Sequence, residues 1–180
     1  MLEFKKQLLR SFCCVALLAA VGAQSSQPLP RIKGQSLAGH QVVLPDACAG
    51  KVAILIFGFT KASKNQTSAW AAAISKDTAV SHAVELYQLP VLEDVPRLIR
   101  GMVISSMKNG VPENARDHFV PLVQSEAELK KLVNYNEHDA AYLIVLDRQG
   151  QIIRQMHGAV NEARIAELRT VIGSLVSQSN

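Results

Sequence analysis

The chain has 180 residues, of which 48% are hydrophobic and 19% charged, which is enough material for one domain with a sizeable core. The formal charge is +4, but Lys5, Lys6, Arg10 and Glu3 all lie in the first 23 residues, so the rest of the chain carries only +2. That balance, with no basic stripe interleaved with aromatics, argues against a nucleic-acid partner.

The first 23 residues read as a targeting segment. A basic stretch, "MLEFKKQLLR", precedes a short apolar run, "SFCCVALLAAVGA". Val21 and Ala23 satisfy the small-x-small rule, which predicts an export signal at 1–23 cleaved after Ala23. The run is shorter than the roughly 20 apolar residues a membrane span needs; an uncleaved anchor is the alternative. Cys13 and Cys14 lie inside the run, whereas a lipoprotein signal places its cysteine after it. Cleavage leaves Cys48 as the single thiol, so no internal disulfide can form.

Residues 24–34, beginning "QSSQPLP", are polar and proline-bearing and predict a flexible arm ahead of one domain at 35–178. "SLAGHQVVLPDACAGK" predicts two short strands around Gly39–His40 and a second turn at Pro45–Gly50. "KVAILIFGF" is a continuous apolar run with β-branched members, the pattern of a buried strand. Asn65–Lys76 is alanine-rich and predicts a helix, with Ala69, Ala72, Ala73 and Lys76 at helical spacing. "HAVELYQLPVL" returns to strand. Val95–Met107 predicts a helix with Val95, Leu98, Ile99 and Met102 on one face and Pro96 in its first turn. "KNGVPENARDH" is turn-rich, and "HFVPLV" is a short strand that Pro121 assigns to an edge. Ser125 and Glu128 have capping-box spacing at the start of "SEAELKKLV". "AYLIVLD", "RQGQ" and "IIRQMHG" make a hairpin in which Ile152, Arg154 and Met156 alternate with Ile153, Gln155 and His157. Asn161 caps a last helix with the stripe Ile165, Leu168, Val171, Ile172 and Leu175. The order implies an α/β fold: a mixed sheet flanked by helices on both faces, opened by a β-hairpin.

Two resemblances follow from these segments. "LAGHQVVLPDACAGKVAILIFGFT", the helix after it and the closing "YLIVLDRQGQIIRQMHG" resemble the thioredoxin-like redoxins. These include thiol peroxidases, periplasmic thiol reductases and Sco-type copper proteins. Trp70, "LYQLPVLEDVPRLIRGMVISSM", "VPENARDHFVPLV" and "AAYLIVLDRQGQIIRQMHG" are similar to the mitochondrial ATP-synthase assembly factor family, ATPase complex subunit ten. That likeness implies a thioredoxin-like domain that assists assembly of a membrane complex.

The junction "GFTKASKNQTSAW" occupies the place where the resembling thiol enzymes keep their cysteines, and it contains none. By the resemblance to Sco-type proteins, their two thiol positions fall on Ala62 and Gln66, which supply neither a thiolate nor a soft metal ligand. The peroxidase pattern Thr-x-x-Cys is matched by Thr60-Lys61-Ala62-Ser63, with a hydroxyl that is a poor nucleophile unless activated. The structural alternative is that Ser63 or Asn65 caps the helix. No G-x-S-x-G element occurs. Cys48, in the turn "PDACAGK" beside Lys51, is either a turn thiol or a one-cysteine peroxidatic site. His40, His82, His118, His138 and His157 are scattered without metal-ligand spacing. Trp70, Tyr87, Tyr135 and Tyr142 are core residues or contact anchors. Lys61 and Lys64 flank a helix start that favours anions.

Three functions stay open. The first is an exported, redox-inactive, polypeptide-binding protein whose degenerate site is Thr60, Lys61, Ala62, Ser63, Lys64, Asn65, Gln66 and Trp70. It needs no cofactor or metal, and the resemblance to the assembly-factor family implies a membrane-complex subunit as its client. The second is a thiol-dependent oxidoreductase or peroxidase using Cys48. The third is a carrier of small anions at Lys61 and Lys64. The signal implies export, to the periplasm in a bacterium, with a mitochondrial address as the alternative.

Overall fold

The apolar run predicted as a buried strand is the centre of the molecule. In a computed structural model, which describes residues 27–177, Val52–Gly58 (β4) has every residue buried. The predicted export signal lies outside the described residues. Around β4 the elements follow in chain order: strands β1 (Gln27–Pro28), β2 (Ile32–Gln35) and β3 (Gln41–Leu44), then β4. Helices α1 (Lys64–Lys76) and α2 (Thr78–Ser81) lead to strand β5 (Val84–Pro90). Helices α3 (Arg97–Gly110) and α4 (Glu126–Leu132), the hairpin β6 (Ala141–Leu146) and β7 (Gln151–His157), and helix α5 (Glu162–Ser177) complete the chain.

The main sheet has the order β1-β7-β6-β4-β5. β5 runs parallel to β4, while β6 runs antiparallel to it, so the sheet is mixed. The parallel pair needs a crossover, which α1 and α2 supply. Beyond β5, Phe119 and Leu122 bridge Gln88 and Val91, which places the Pro121 segment at the sheet edge as expected.

Each face of the sheet has its own core. Val52, Ile54 and Ile56 pack with Trp70 and Ile74 of α1, Val80 of α2, and Leu168 and Ile172 of α5. Ala53, Leu55 and Phe57 point the other way, onto the β2–β3 hairpin, Val120, Leu122 and Leu129 of α4. A fully buried strand reads as unbroken hydrophobicity because both faces are covered.

The arm predicted at 24–34 differs from what forms over residues 27–34. Gln27 and Pro28 pair with Ile152 and Gln151 of β7. Leu29 and Ile32 are buried, and Ile32 through Gln35 form the first strand of the hairpin. The two apolar residues supply the burial that the polar composition hid. Gly34 lets this hairpin press onto the edge segment: a Cβ there would lie 2.5 Å from Val120 Cγ1.

Two further expectations shift. In the β6–β7 hairpin the register slips between Val145 and Leu146, which pair with Arg154 and Ile152 respectively. The extra residue turns Ile152 to the opposite face from Arg154 and Met156, breaking the expected alternation. In α3 no residue is buried, and the apolar face read from the spacing turns outward at Leu98, which is 99% exposed, and Met102, 73%. Val103, Ile104 and Met107 take the half-buried side instead.

Candidate functional site

The strand-to-helix junction after β4 is built by reciprocal hydrogen bonds between Thr60 and Ser63. Ser63 N–H donates to Thr60 Oγ1 at 3.0 Å, and Ser63 Oγ donates to the Thr60 carbonyl at 2.8 Å. Thr60 N–H donates back to Ser63 Oγ at 3.3 Å. Ser63 occupies the N-cap position of α1, but its oxygen caps no helical N–H. It is 1% exposed, and its Oγ would lie 2.9 Å from a Cβ on Gly58. Gly58 therefore gives this hydroxyl the room to turn inward.

The loop before β6 closes on the same junction. Thr60 Oγ1 donates to Asp139 Oδ1 at 2.9 Å, and His138 Nδ1 lies 2.8 Å from the same oxygen. The His138 bond first, and the Thr60 bond second, hold the Asp139 carboxyl below its usual range. Ala141 N–H, at the start of β6, donates to Gln66 Oε1 at 3.3 Å. Tyr142 ties the loop from beneath. Its hydroxyl accepts from the N–H groups of Asn136 and Glu137 and donates to the Glu137 carbonyl at 2.8 Å. Below the junction Phe59 meets Tyr135 and Tyr142 edge to face, with centroids 5.1 and 5.8 Å apart, while the two tyrosine rings stack on each other at 5.3 Å.

The sequence-derived site residues thus divide into three groups. Lys61, Ala62, Lys64 and Asn65 are exposed and form an open rim. Thr60 and Gln66 are half-buried and engaged with the 139–141 segment. Ser63 and Trp70 leave the list of contact residues. Trp70 is completely buried, its indole N–H donating to the Gly158 carbonyl at 2.8 Å, so it anchors the core rather than a partner. Tyr87 and Tyr142 are likewise buried, whereas Tyr135 is half-buried beneath Lys130 Nζ, 4.6 Å from its ring centroid.

Cys48 belongs to a different end of the molecule. It precedes β4, whereas the junction follows it, and seven strand residues separate the two by about 20 Å. Its Sγ–H donates to the Pro45 carbonyl at 3.2 Å. Burial, reinforced by the Glu85 and Asp46 carboxylates, pushes the thiol up to about 11. Near it Glu85 receives both Lys51 and His118, and His118 packs on the Tyr87 ring at 4.8 Å. Two surface clefts lie off the junction. One is lined by Lys51, His82, Glu85 and Arg148, the other by Ala71, Ser75, Glu85 and His118. Among the described residues no group of three or more His, Cys, Asp or Glu side chains is placed to hold a metal.

Asp139 is the junction residue that the sequence did not single out. It lies 79 positions from Thr60, and no local spacing couples them. Only the closing of the sheet, which lays β6 beside β4, brings them together.

The architecture is a mixed sheet with a helix springing from the C-terminal end of the buried strand β4 and a hairpin–helix after it. The fold is thioredoxin-like. Solved structures with this architecture include BsSco, a member of the Sco family of cytochrome c oxidase assembly proteins. It aligns at 14% identity over 85% of this chain and 95% of its own, with a TM-score of 0.60. The exposed lipoprotein thioredoxin of Streptococcus pneumoniae aligns at 13% identity over 78% of this chain and 98% of its own, at 0.56. A putative protein disulfide isomerase from Bacteroides thetaiotaomicron aligns at 21% over 84% and 89%, at 0.54. No protein-family model and no curated protein matches the sequence. At these identities the thioredoxin-like chain shares a fold with its neighbours, and function has to be argued from the site. No helix among its described residues is long and apolar enough to cross a membrane.

Proposed function

We propose that this thioredoxin-like chain is an exported, redox-inactive protein that binds polypeptides and acts as an assembly factor or chaperone for a membrane complex. The observation that carries the reading is the junction itself. Where a dithiol exchanger needs one thiol to attack and a second to resolve, the helix start presents Ala62, a hydrogen-bonded Ser63 and Gln66. The Ser63 hydroxyl donates to a backbone carbonyl, and among the described residues no carboxylate or imidazole is hydrogen-bonded to it to take its proton. The one described thiol lies at the far end of β4 with a raised pKa.

Lys61, Ala62, Lys64 and Asn65 form the exposed rim against which a client segment packs. Gln66 already satisfies the first β6 N–H, so the client engages this rim through side chains rather than by extending the strand at Ala141. The resemblance to the mitochondrial assembly family, together with the membership of BsSco in a family of cytochrome c oxidase assembly proteins, supports a membrane-complex subunit as client, with ATP synthase the specific candidate.

The deciding experiment pairs capture with turnover. Mild crosslinking in membranes from the native host is expected to recover one reproducible membrane-complex subunit, and Lys61→Glu/Lys64→Glu is expected to reduce that recovery several-fold. Disulfide and peroxide turnover are expected to stay at background in wild type and in Cys48→Ser alike. Turnover that disappears in Cys48→Ser would make the chain a thiol enzyme and sink this reading.

A further inference from the structure

The helix that carries no buried residue poses a separate question. α3 is 14 residues long, about 21 Å at helical rise. Its outward line is Leu98, Met102, Ser105 and Asn109, with Ile99 and Ser106 beside it, all exposed. Leu98 is 99% exposed, Met102 73% and Ile99 46%. A leucine placed almost wholly in water, one turn from an exposed methionine, forfeits the burial that a side chain of its size ordinarily gains.

Charge identifies what covers it. From Arg97 to Gly110 the helix has no acidic residue. Arg97 and Lys108 are exposed on one flank of the apolar line, 11 positions and about three turns apart, and neither is ion-paired among the described residues. Arg100 points inward and donates to the carbonyls of Glu93 and Val95, pinning the start of the helix. The nearby acids, Glu93, Asp94 and Glu113, lie before and after the helix rather than on it. Glu93 accepts the Glu126 N–H at the start of α4, and Asp94 sits within the field of Lys130. Glu113 lies past the helix end.

We propose that α3 docks in plane on an anionic lipid surface, with Leu98, Met102 and Ile99 entering the acyl boundary and Arg97 and Lys108 meeting headgroup charge. A short amphipathic helix with apolar side chains on its outer face and cations on their flank has the composition of an interfacial anchor. Its two unpaired cations add the attraction that such a surface exerts on basic side chains. The contact is reversible, since three side chains insert shallowly. This inference stands apart from the client-binding rim at Lys61–Asn65, and either can fail alone.

The test uses the full chain and reads Met102 itself. Peroxide converts an exposed methionine to its sulfoxide. Peptide mass spectrometry follows Met102, with half-buried Met107 and buried Met156 as internal references. Vesicles of phosphatidylcholine containing about a quarter phosphatidylglycerol are expected to slow Met102 oxidation roughly tenfold. Pure phosphatidylcholine vesicles are expected to leave it unchanged. Arg97→Glu/Lys108→Glu is expected to abolish the protection without altering the circular dichroism. Co-sedimentation with vesicles while Met102 oxidises at its free rate would place the membrane contact elsewhere and overturn the proposal. Equal protection by both lipids would also overturn it. Protection that needs no vesicles and grows with protein concentration would assign the face to a second copy instead.

Discussion

Cys48 is 2% exposed beneath the β2–β3 hairpin and is counted among that face's buried core. Its thiol is held in the protonated form: in a buried place near Glu85 and Asp46 the thiolate is the disfavoured form, which pushes the thiol up to about 11. At neutral pH the thiolate fraction is then about one in ten thousand, against a few per cent for a free cysteine. Alkylation of the folded chain, followed on the peptide that carries Cys48, is expected to run at least roughly a hundredfold slower than free cysteine. It should rise to the free rate in concentrated urea. A fast reaction without denaturant would show that the hairpin opens onto the thiol and would restore the one-cysteine enzyme as a candidate.

Elements behave as their ends and faces dictate. Asn161 Oδ1 accepts the Arg164 N–H at 3.0 Å, capping the 16-residue α5, which carries Leu168 and Ile172 into the core. Ser125 does the same for the shorter α4, with a longer bond of 3.4 Å from the Glu128 N–H. Asn161→Ala is expected to cost about 1 kcal/mol in urea unfolding, with Asn161→Asp close to wild type. Ser125→Ala is expected to cost less. Equal stability of all the Asn161 variants would mean that packing alone fixes the start of α5. These caps were legible in the sequence because they are local: an acceptor, three residues, and an N–H. The same holds for β4, for the α5 stripe and for the edge position of the Pro121 segment, which makes two isolated bridges rather than the expected strand. The outward face of α3 was not legible. Its spacing marks one apolar side, yet its inward positions, Val103, Ile104 and Met107, are apolar too, so periodicity alone could not orient it. Trp70 was ambiguous in the same way, until the Gly158 carbonyl on the far side of the chain supplied its partner. The degenerate junction was readable as an absence of thiols, whereas its closure by Asp139 depended on sheet pairing that no local pattern encodes.

Across the molecule, ion pairs join segments that are distant in sequence. Asp77, which caps α2, receives Arg169 of α5 and is held below its usual range first by that bond. Glu85 of β5 is held low first by Lys51, at the foot of β4, and then by His118 beside the edge segment. Both carboxyls have a folded pKa below the unfolded one. Their contribution is therefore fully present above the unfolded values of 3.8 and 4.5, and it is lost as pH falls through the lower folded values. The chain is thus expected to keep level stability from neutral pH to about pH 5 and to weaken steadily below it. The double variant Asp77→Asn/Glu85→Gln is less stable than wild type at neutral pH, because Arg169 and Lys51 lose charged partners. The gap between the two is expected to narrow as pH falls below the unfolded values and to close once the wild-type carboxyls are protonated as well. Urea titrations of both proteins across that range measure the gap directly. A difference that stayed constant with pH would assign the loss to altered packing rather than to charge, and the ion pairs would then have no part in holding α5 and β5 in place.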